Sequence, residues 1–276
     1  MRVGIIGLGL IGGSLARDLA ARGHEIVGFD RSAATLRSAR RAKVIVAAGS
    51  KNFNELRSCD ACVLAVPVSA AAGLLGRAAP ALADAAFITD VGSTKQSIVR
   101  AANRLGLAAR FVGAHPLAGD HRAGWGASRE GLFAGKPVYL TPSGRTSSQS
   151  IRKARALWAS VGGRVVVADA GEHDTLMAAI SHRPQVASLG LAMYLGDRRI
   201  PRSVLGRGGR DMTRLAASNV DVWAAILTDN RANIAPAIAR YRKALGMIET
   251  AVRAGDSQAI RHLVALTGKW AGPGSD

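Results

Sequence analysis

The feature that most constrains this chain stands at its start. An apolar run at residues 2–6 leads directly into Gly7-Leu8-Gly9-Leu10-Ile11-Gly12, which opens a helical pattern. A strand, a glycine turn and a helix in immediate succession belong to few architectures, because each glycine answers a separate demand. Gly7 permits the tight turn, Gly9 lets the backbone approach a ligand, and Gly12 lets helix and strand pack closely. The unpaired amides at the helix N-terminus then favour an anion such as a pyrophosphate. Gly7, Gly9, Leu10, Ile11 and Gly12 are therefore expected to contact a dinucleotide. Asp30 closes the next apolar run, where a carboxylate accepts hydrogen bonds from ribose hydroxyls, and this favours NAD. Arg31 beside it can pair with an additional phosphate and leaves NADP possible.

Strand-like runs follow at residues 25–29, 62–66, 86–89, 110–113, 137–140 and 164–167. Helical patterns at residues 13–22, 32–41, 69–82, 95–105 and 148–161 lie between most of them. This alternation predicts an α/β fold, a doubly wound Rossmann-type parallel sheet. Beyond Asp169 only helical patterns remain, at residues 172–195, 210–218, 220–246 and 257–266. The expected organisation is a dinucleotide-binding domain over residues 1–169 and an all-helical domain over residues 170–276, with the boundary near 169–171. The helical part is short and apolar for its length, so it is expected to cover itself with a second copy, giving a homodimer. Pro184 falls within the pattern 172–195 and should kink that helix. Residues 269–276, ending in Gly-Pro-Gly-Ser-Asp, read as a loose tail.

Composition narrows the function classes. Lys and Arg number 37 against 19 Asp and Glu, a net charge of +18, yet the basic residues are dispersed and only 4% of residues are aromatic. That favours attraction of anionic small molecules over nucleic acid, which calls for a basic patch with stacking platforms. The most apolar stretch, residues 70–88, is broken by Arg77, Pro80 and Asp84, so no membrane span is expected. Cys59 and Cys62 form a C-x-x-C that runs into a strand. With no second pair to complete a zinc site, they read as buried free thiols of a reducing, cytoplasmic compartment, and no metal is expected.

Ligands of open parallel sheets lie beyond the carboxyl ends of the strands. Val66 and Pro67, Ser93 in Asp90-Val91-Gly92-Ser93-Thr94-Lys95, and His115 after Gly113-Ala114 are all expected on that rim. The segments GLGLIGGSLA, DVGSTK, GAHPLAG, ISHRP and RDMTR, in this order, closely resemble the prephenate/arogenate dehydrogenase family, over residues 1 to about 247. The resemblance implies an NAD(P)-dependent oxidative decarboxylation of prephenate or arogenate, yielding 4-hydroxyphenylpyruvate or tyrosine. It also implies that His115 accepts the proton of the substrate's ring hydroxyl with Ser93 in support, that His182 lines the substrate pocket, and that Arg214, with Arg210 nearby, grips a substrate carboxylate. An imidazole near its ordinary pKa suits that proton transfer, and an arginine fork suits a carboxylate.

This chain departs from the family's frequent S-H-L-P-H, reading Ser181-His182-Arg183-Pro184-Gln185, which leaves substrate preference open among prephenate, arogenate and a ring-amino analogue. The polar loop at residues 119–131, with Asp120, His121, Arg122 and Trp125, is a candidate cover for the substrate, and Asp120 a candidate partner for a substrate ammonium. His24 and His121 read as surface residues. His173 reads as a helix-terminus residue, with Glu172 and Asp174 complementing the helix dipole. Two alternatives share parts of the pattern: another two-domain hydroxyacid or imine dehydrogenase, and a non-catalytic dinucleotide-binding regulator.

Overall fold

The computed structural model describes residues 1–82, 85–119 and 122–272. Its elements are β1 (Arg2–Ile6), α1 (Leu10–Ala20), β2 (Glu25–Phe29), α2 (Ala33–Arg41), β3 (Ala47–Ala48), β4 (Ala61–Leu64), α3 (Val68–Ala78), β5 (Phe87–Asp90) and α4 (Gln96–Arg104). There follow β6 (Phe111–Pro116), β7 (Pro137–Pro142), α5 (Ser148–Ser160), β8 (Arg164–Val167), α6 (Ala170–Met177), α7 (Arg183–Asp197), α8 (Arg207–Thr213), α9 (Val220–Asp229), α10 (Arg231–Arg253) and α11 (Ser257–Ala271). Packing divides the chain into two compact units, Met1–Asn230 and Arg231–Asp276. The helices α6 to α9 thus pack with the sheet, so the cut by packing falls elsewhere than the cut by secondary structure at Asp169.

The strands form one sheet in the order β3-β2-β1-β4-β5-β6-β7-β8. Its central strands are continuous apolar runs because both faces are covered. One face packs Leu15 and Leu19 of α1, Ala39 of α2, and Leu157 and Trp158 of α5. The other packs Ala71 and Leu75 of α3 with Ile98 and Ala102 of α4. The sheet is not wholly parallel, as the sequence pattern suggested: β7 runs antiparallel to β6, with His115 opposite Tyr139. A parallel neighbour requires a long crossover, usually helical. Residues 117–136 carry no helical pattern and return through a short turn at Trp125–Ala127. The two-residue β3 is too short to leave a sequence pattern.

The helical region also departs from expectation at three points. The run 172–195 is helical throughout but not all α: α6 ends at Met177, a π-helical turn spans Ala178–His182, and Pro184 occupies the first turn of α7. A proline lacks an amide for the preceding turn and crowds its carbonyl, and widening that turn relieves both. The run 220–246 is divided at Asn230 into α9 and α10. Finally, α11 continues through Lys269 to Ala271, so the expected tail begins no earlier than Gly272, and residues 273–276 lie outside the described residues. Among the described residues no helix is long and apolar enough to cross a membrane. Cys59 and Cys62 are both buried and free, and burial raises both thiol pKa values.

Candidate active site

The carboxyl edge of the sheet gathers two constellations. The first is built around the glycine turn. Gly7 adopts φ +96°, and a side chain there would run into the Ala65 backbone, while one at Gly12 would strike the Gly7 carbonyl. At Gly9 nothing lies within 4 Å of where a Cβ would stand, so the backbone is open on that side. Helix α1 begins directly after Gly9 with no side chain capping its amides. Asp30 braces the turn: one carboxylate oxygen accepts from the Leu8 amide at 2.9 Å and the other from the Ser32 amide at 2.8 Å. Carboxylate oxygens retain further lone pairs, so ribose hydroxyls can still donate to Asp30. Leu10, Ile11 and Val66 are half-buried around this edge, and Arg31 and Pro67 are exposed. An uncapped helix start, an open Gly9 and a carboxylate at the end of β2 together fit a dinucleotide.

The loop at residues 119–131 does something the sequence did not suggest. Its described part lies on α1: the Arg17 guanidinium sits 4.2 Å over the Trp125 ring, and Arg17 Nε donates to Ser128 Oγ at 3.0 Å. The Arg129 and Gly131 amides donate to Ser14 Oγ and Asp18 Oδ1. The loop thereby braces the helix of the glycine turn. Asp120 and His121 lie outside the described residues.

The second constellation surrounds His115, which ends β6 and is 9% exposed. Its Nδ1 lies 2.9 Å from Nε2 of His173, whose Nδ1 lies 2.8 Å from Asp174 Oδ1. Asp174 in turn accepts from the backbone amides of Lys95 and Gln96, at 2.8 and 2.9 Å, where α4 begins. The Asp174 carboxylate therefore caps α4, not its own helix, and His173 is fully buried rather than a terminus feature. Ala170, His173, Asp174 and Met177 form the buried stripe of α6. Read at helical spacing, that stripe was the sequence signal that places His173 and Asp174 inward.

Lys95, also fully buried, joins Asp90 Oδ2 and donates to the Ala114 carbonyl at 2.8 Å, while Asp90 Oδ1 accepts from the Ala114 amide at 3.0 Å. This buried pair fixes the backbone immediately before His115. Burial lowers the Lys95 pKa against the pull of Asp90. Burial also holds His115 well below the ordinary imidazole range, and His173, Lys95 and His182 add to the effect. His115 is consequently neutral at physiological pH, with a margin that its residue type alone does not give.

His182 is buried at the end of the π turn, with Nδ1 3.1 Å from Asn230 Nδ2 and its ring edge against Trp223. Burial pushes its pKa down to about 4. Asn230 also donates to the Asp174 carbonyl at 2.7 Å, and Asp229 accepts from Thr94 and Ser97 at 2.6 and 2.8 Å, so the end of α9 is fastened to the start of α4. Ser93 is half-buried on the loop between β5 and α4, and among the described residues its hydroxyl is not bonded to His115; the partner on that imidazole is His173.

Arg214 opens a short turn, Arg214–Ala217, and is exposed. Gln185 clamps that turn to α7 by donating to the Leu215 carbonyl at 2.8 Å, one helical turn beyond His182. Among the described residues the Arg214 guanidinium has no hydrogen bond or ion pair. Arg210 is exposed too, and its Nε donates to the Leu205 carbonyl at 2.7 Å, which makes it partly a brace of its own segment. Thus His115 and His182 come together around Asp174, while among the described residues neither Arg210 nor Arg214 is hydrogen-bonded to them. His173, Asp174, Lys95 and Asn230 are the residues the sequence did not single out for the site.

Residues 15–167 match the family described as prephenate dehydrogenase, nucleotide-binding domain, and residues 169–266 match its dimerization domain. A prephenate dehydrogenase of Lactococcus lactis is 33% identical over 94% of this chain and 73% of its own length. A cyclohexadienyl dehydrogenase of Zymomonas mobilis is 32% identical over 92% of this chain and 89% of its own length. A crystal structure of prephenate dehydrogenase from A. aeolicus, in complex with hydroxyphenyl propionate and NAD+, superposes with TM-score 0.88 at 29% identity, covering 98% of this chain and 96% of that one.

Proposed function

Since the chain belongs to the prephenate dehydrogenase family, we propose that it catalyses the oxidative decarboxylation of prephenate or arogenate with a nicotinamide dinucleotide. The alternatives, a hydroxyacid or imine dehydrogenase and a non-catalytic regulator, are not favoured. The observation that carries the reading is His115, a neutral imidazole at the carboxyl edge of the sheet whose Nδ1 is engaged and whose Nε2, among the described residues, has no hydrogen-bond partner. A bound nicotinamide would supply the acceptor for the hydride on the ring carbon that bears the hydroxyl. As that hydride leaves, the hydroxyl becomes strongly acidic, and His115 Nε2 takes its proton. Ser93, on the loop between β5 and α4, is assigned to support the same oxygen. Arg214, with Arg210 as support, supplies the fork that holds a carboxylate, and His182 lines the pocket. The carboxyl group on the ring leaves as CO2, and its bonding electrons complete the aromatic ring. Steady-state kinetics with prephenate, arogenate and a ring-amino analogue, each with NAD and NADP, test the assignment. Failure of all three substrates would overturn it.

We assign residues 1–169 to dinucleotide binding and 170–276 to substrate binding and pairing. NAD is the proposed cofactor, on the strength of Asp30. Asp30→Ser should lower the ratio of kcat/KM for NAD over NADP by about tenfold or more, since removing one repulsive charge is worth roughly 1.4 kcal/mol near a surface while Arg31 remains. An unchanged ratio would contradict the role.

The partner of the helical region is a second copy of this chain. Met193, Val204 and Val220 in the first unit, and Val252, Val264 and Trp270 in the second, are exposed apolar side chains that a monomer would leave in water. Light scattering should give twice the chain mass at micromolar concentration; a monomer of full activity would remove this reading.

A further inference from the structure

His115 is not a lone imidazole but the outer member of a buried series of three groups. Both Asp174 oxygens accept from backbone amides, which cannot reverse their polarity, so Asp174 is a carboxylate acceptor. His173 Nδ1 must then donate to it, which leaves the other nitrogen of a neutral His173 with a lone pair. That nitrogen, Nε2, faces His115 Nδ1 at 2.9 Å, so His115 carries its proton on Nδ1 and presents a bare Nε2. Free imidazole side chains prefer the opposite tautomer, in which Nε2 is a donor and cannot act as a base. Tyr139 on β7 packs its ring edgewise on His173 at 5.5 Å and holds it in place.

We propose that His173, oriented by Asp174, is a positioning residue that fixes the reactive tautomer of His115 and receives a proton from it during turnover. This rests on the reading of His115 as the base. The proton balance is closed. The substrate O–H bond breaks as a bond to His115 Nε2 forms; the His115 Nδ1–H bond then breaks as a bond to His173 Nε2 forms. His115 is left neutral and His173 is left as an imidazolium against the Asp174 carboxylate. The surroundings favour that hand-off. Among the described residues the charged and titratable groups facing His115 are Lys95 from the start of α4, His182 from the π turn and His173 from α6; burial and the Lys95 ammonium disfavour a positive charge there. Among the described residues, His173 alone of the two rings touches a carboxylate. Ser93 keeps its proposed role on the substrate oxygen, while the His173 ring of α6 engages the Nδ1 side of His115.

The test has two arms. In protein labelled with 15N-histidine, long-range 15N–1H spectra of the unliganded wild type should find the His115 proton on Nδ1; a proton on Nε2 would overturn the proposal whatever the enzyme's activity. In the second arm, His173→Leu should lower kcat about 10²-fold or more, the scale on which a mis-set tautomer acts, with dinucleotide affinity within about twofold of wild type. His173→Gln keeps an acceptor for His115 Nδ1 but cannot take a proton, and should restore the tautomer with only part of the rate. A kcat for His173→Leu within twofold of wild type, or equal rates for the Leu and Gln variants, would overturn the proposal. Loss of activity in His115→Asn is scored separately, so failure of the relay and failure of the base are distinguishable.

Discussion

His115→Asn should lower kcat by about 10²- to 10⁴-fold, the usual range for loss of a general base, while dinucleotide affinity stays near that of the wild type. An asparagine fits the end of β6 and can still donate to His173, but it cannot accept the hydroxyl proton. The pH profile gives the effect its signature. The His115 pKa is depressed in the folded protein, chiefly by burial and further by His173, Lys95 and His182. Activity therefore needs the neutral ring, is lost as pH falls through that depressed pKa, and is already on its plateau at the ordinary imidazole value of about 6.5. An imidazole of unperturbed pKa, expected from the sequence, would place the acidic limb in the neutral range instead. In wild type, kcat/KM should be flat from neutral pH down past about 6.5 and fall below it. A mutant with near-normal turnover and the same acidic limb would transfer the role to His182, whose own pKa of about 4 leaves it neutral as well.

The second large effect belongs to Arg214. Its guanidinium has no protein partner among the described residues, and its turn is held to α7 through the Gln185 hydrogen bond to Leu215. A side chain positioned by its neighbours yet uncommitted is suited to a carboxylate brought by the substrate. Removing one member of a desolvated charge pair costs roughly 2 to 5 kcal/mol, or about 30- to several-thousand-fold in affinity. Arg214→Ala should raise the substrate KM on that scale and leave the KM for dinucleotide unchanged. Arg210→Ala should have the smaller effect, because Arg210 Nε is engaged with the Leu205 carbonyl. An unaltered KM in Arg214→Ala would dismiss the anchor.

The sequence carried the parts of this account that depend on local sterics. Gly7, Gly9 and Gly12 each had a conformational or packing demand that could be read one residue at a time, and β1 and β2 were legible with their ends. His115 was legible because a strand end in such a sheet is a ligand edge. What was not legible depends on which elements meet. Asp174 was read as serving its own helix because nothing local reveals that it reaches the start of α4. The His173 partner of His115 is 58 residues away in the chain, and the depressed pKa follows from that burial. The direction of β7 was hidden for a similar reason, since pairing direction follows the path of the connection and not the strand's own residues. The π turn before Pro184 was missed because proline signals disruption without stating which irregular turn will absorb it.

The most direct measurement is the stoichiometry of a single reaction. Purified protein supplied with prephenate, or separately with arogenate, and with NAD or NADP should release one CO2 for each reduced dinucleotide formed with at least one pairing. The aromatic product should appear in the same amount, and His115→Asn should slow all three together. Reduced dinucleotide without CO2 would point to a simple alcohol dehydrogenase, and tight dinucleotide binding with no turnover on either substrate would contradict the account outright.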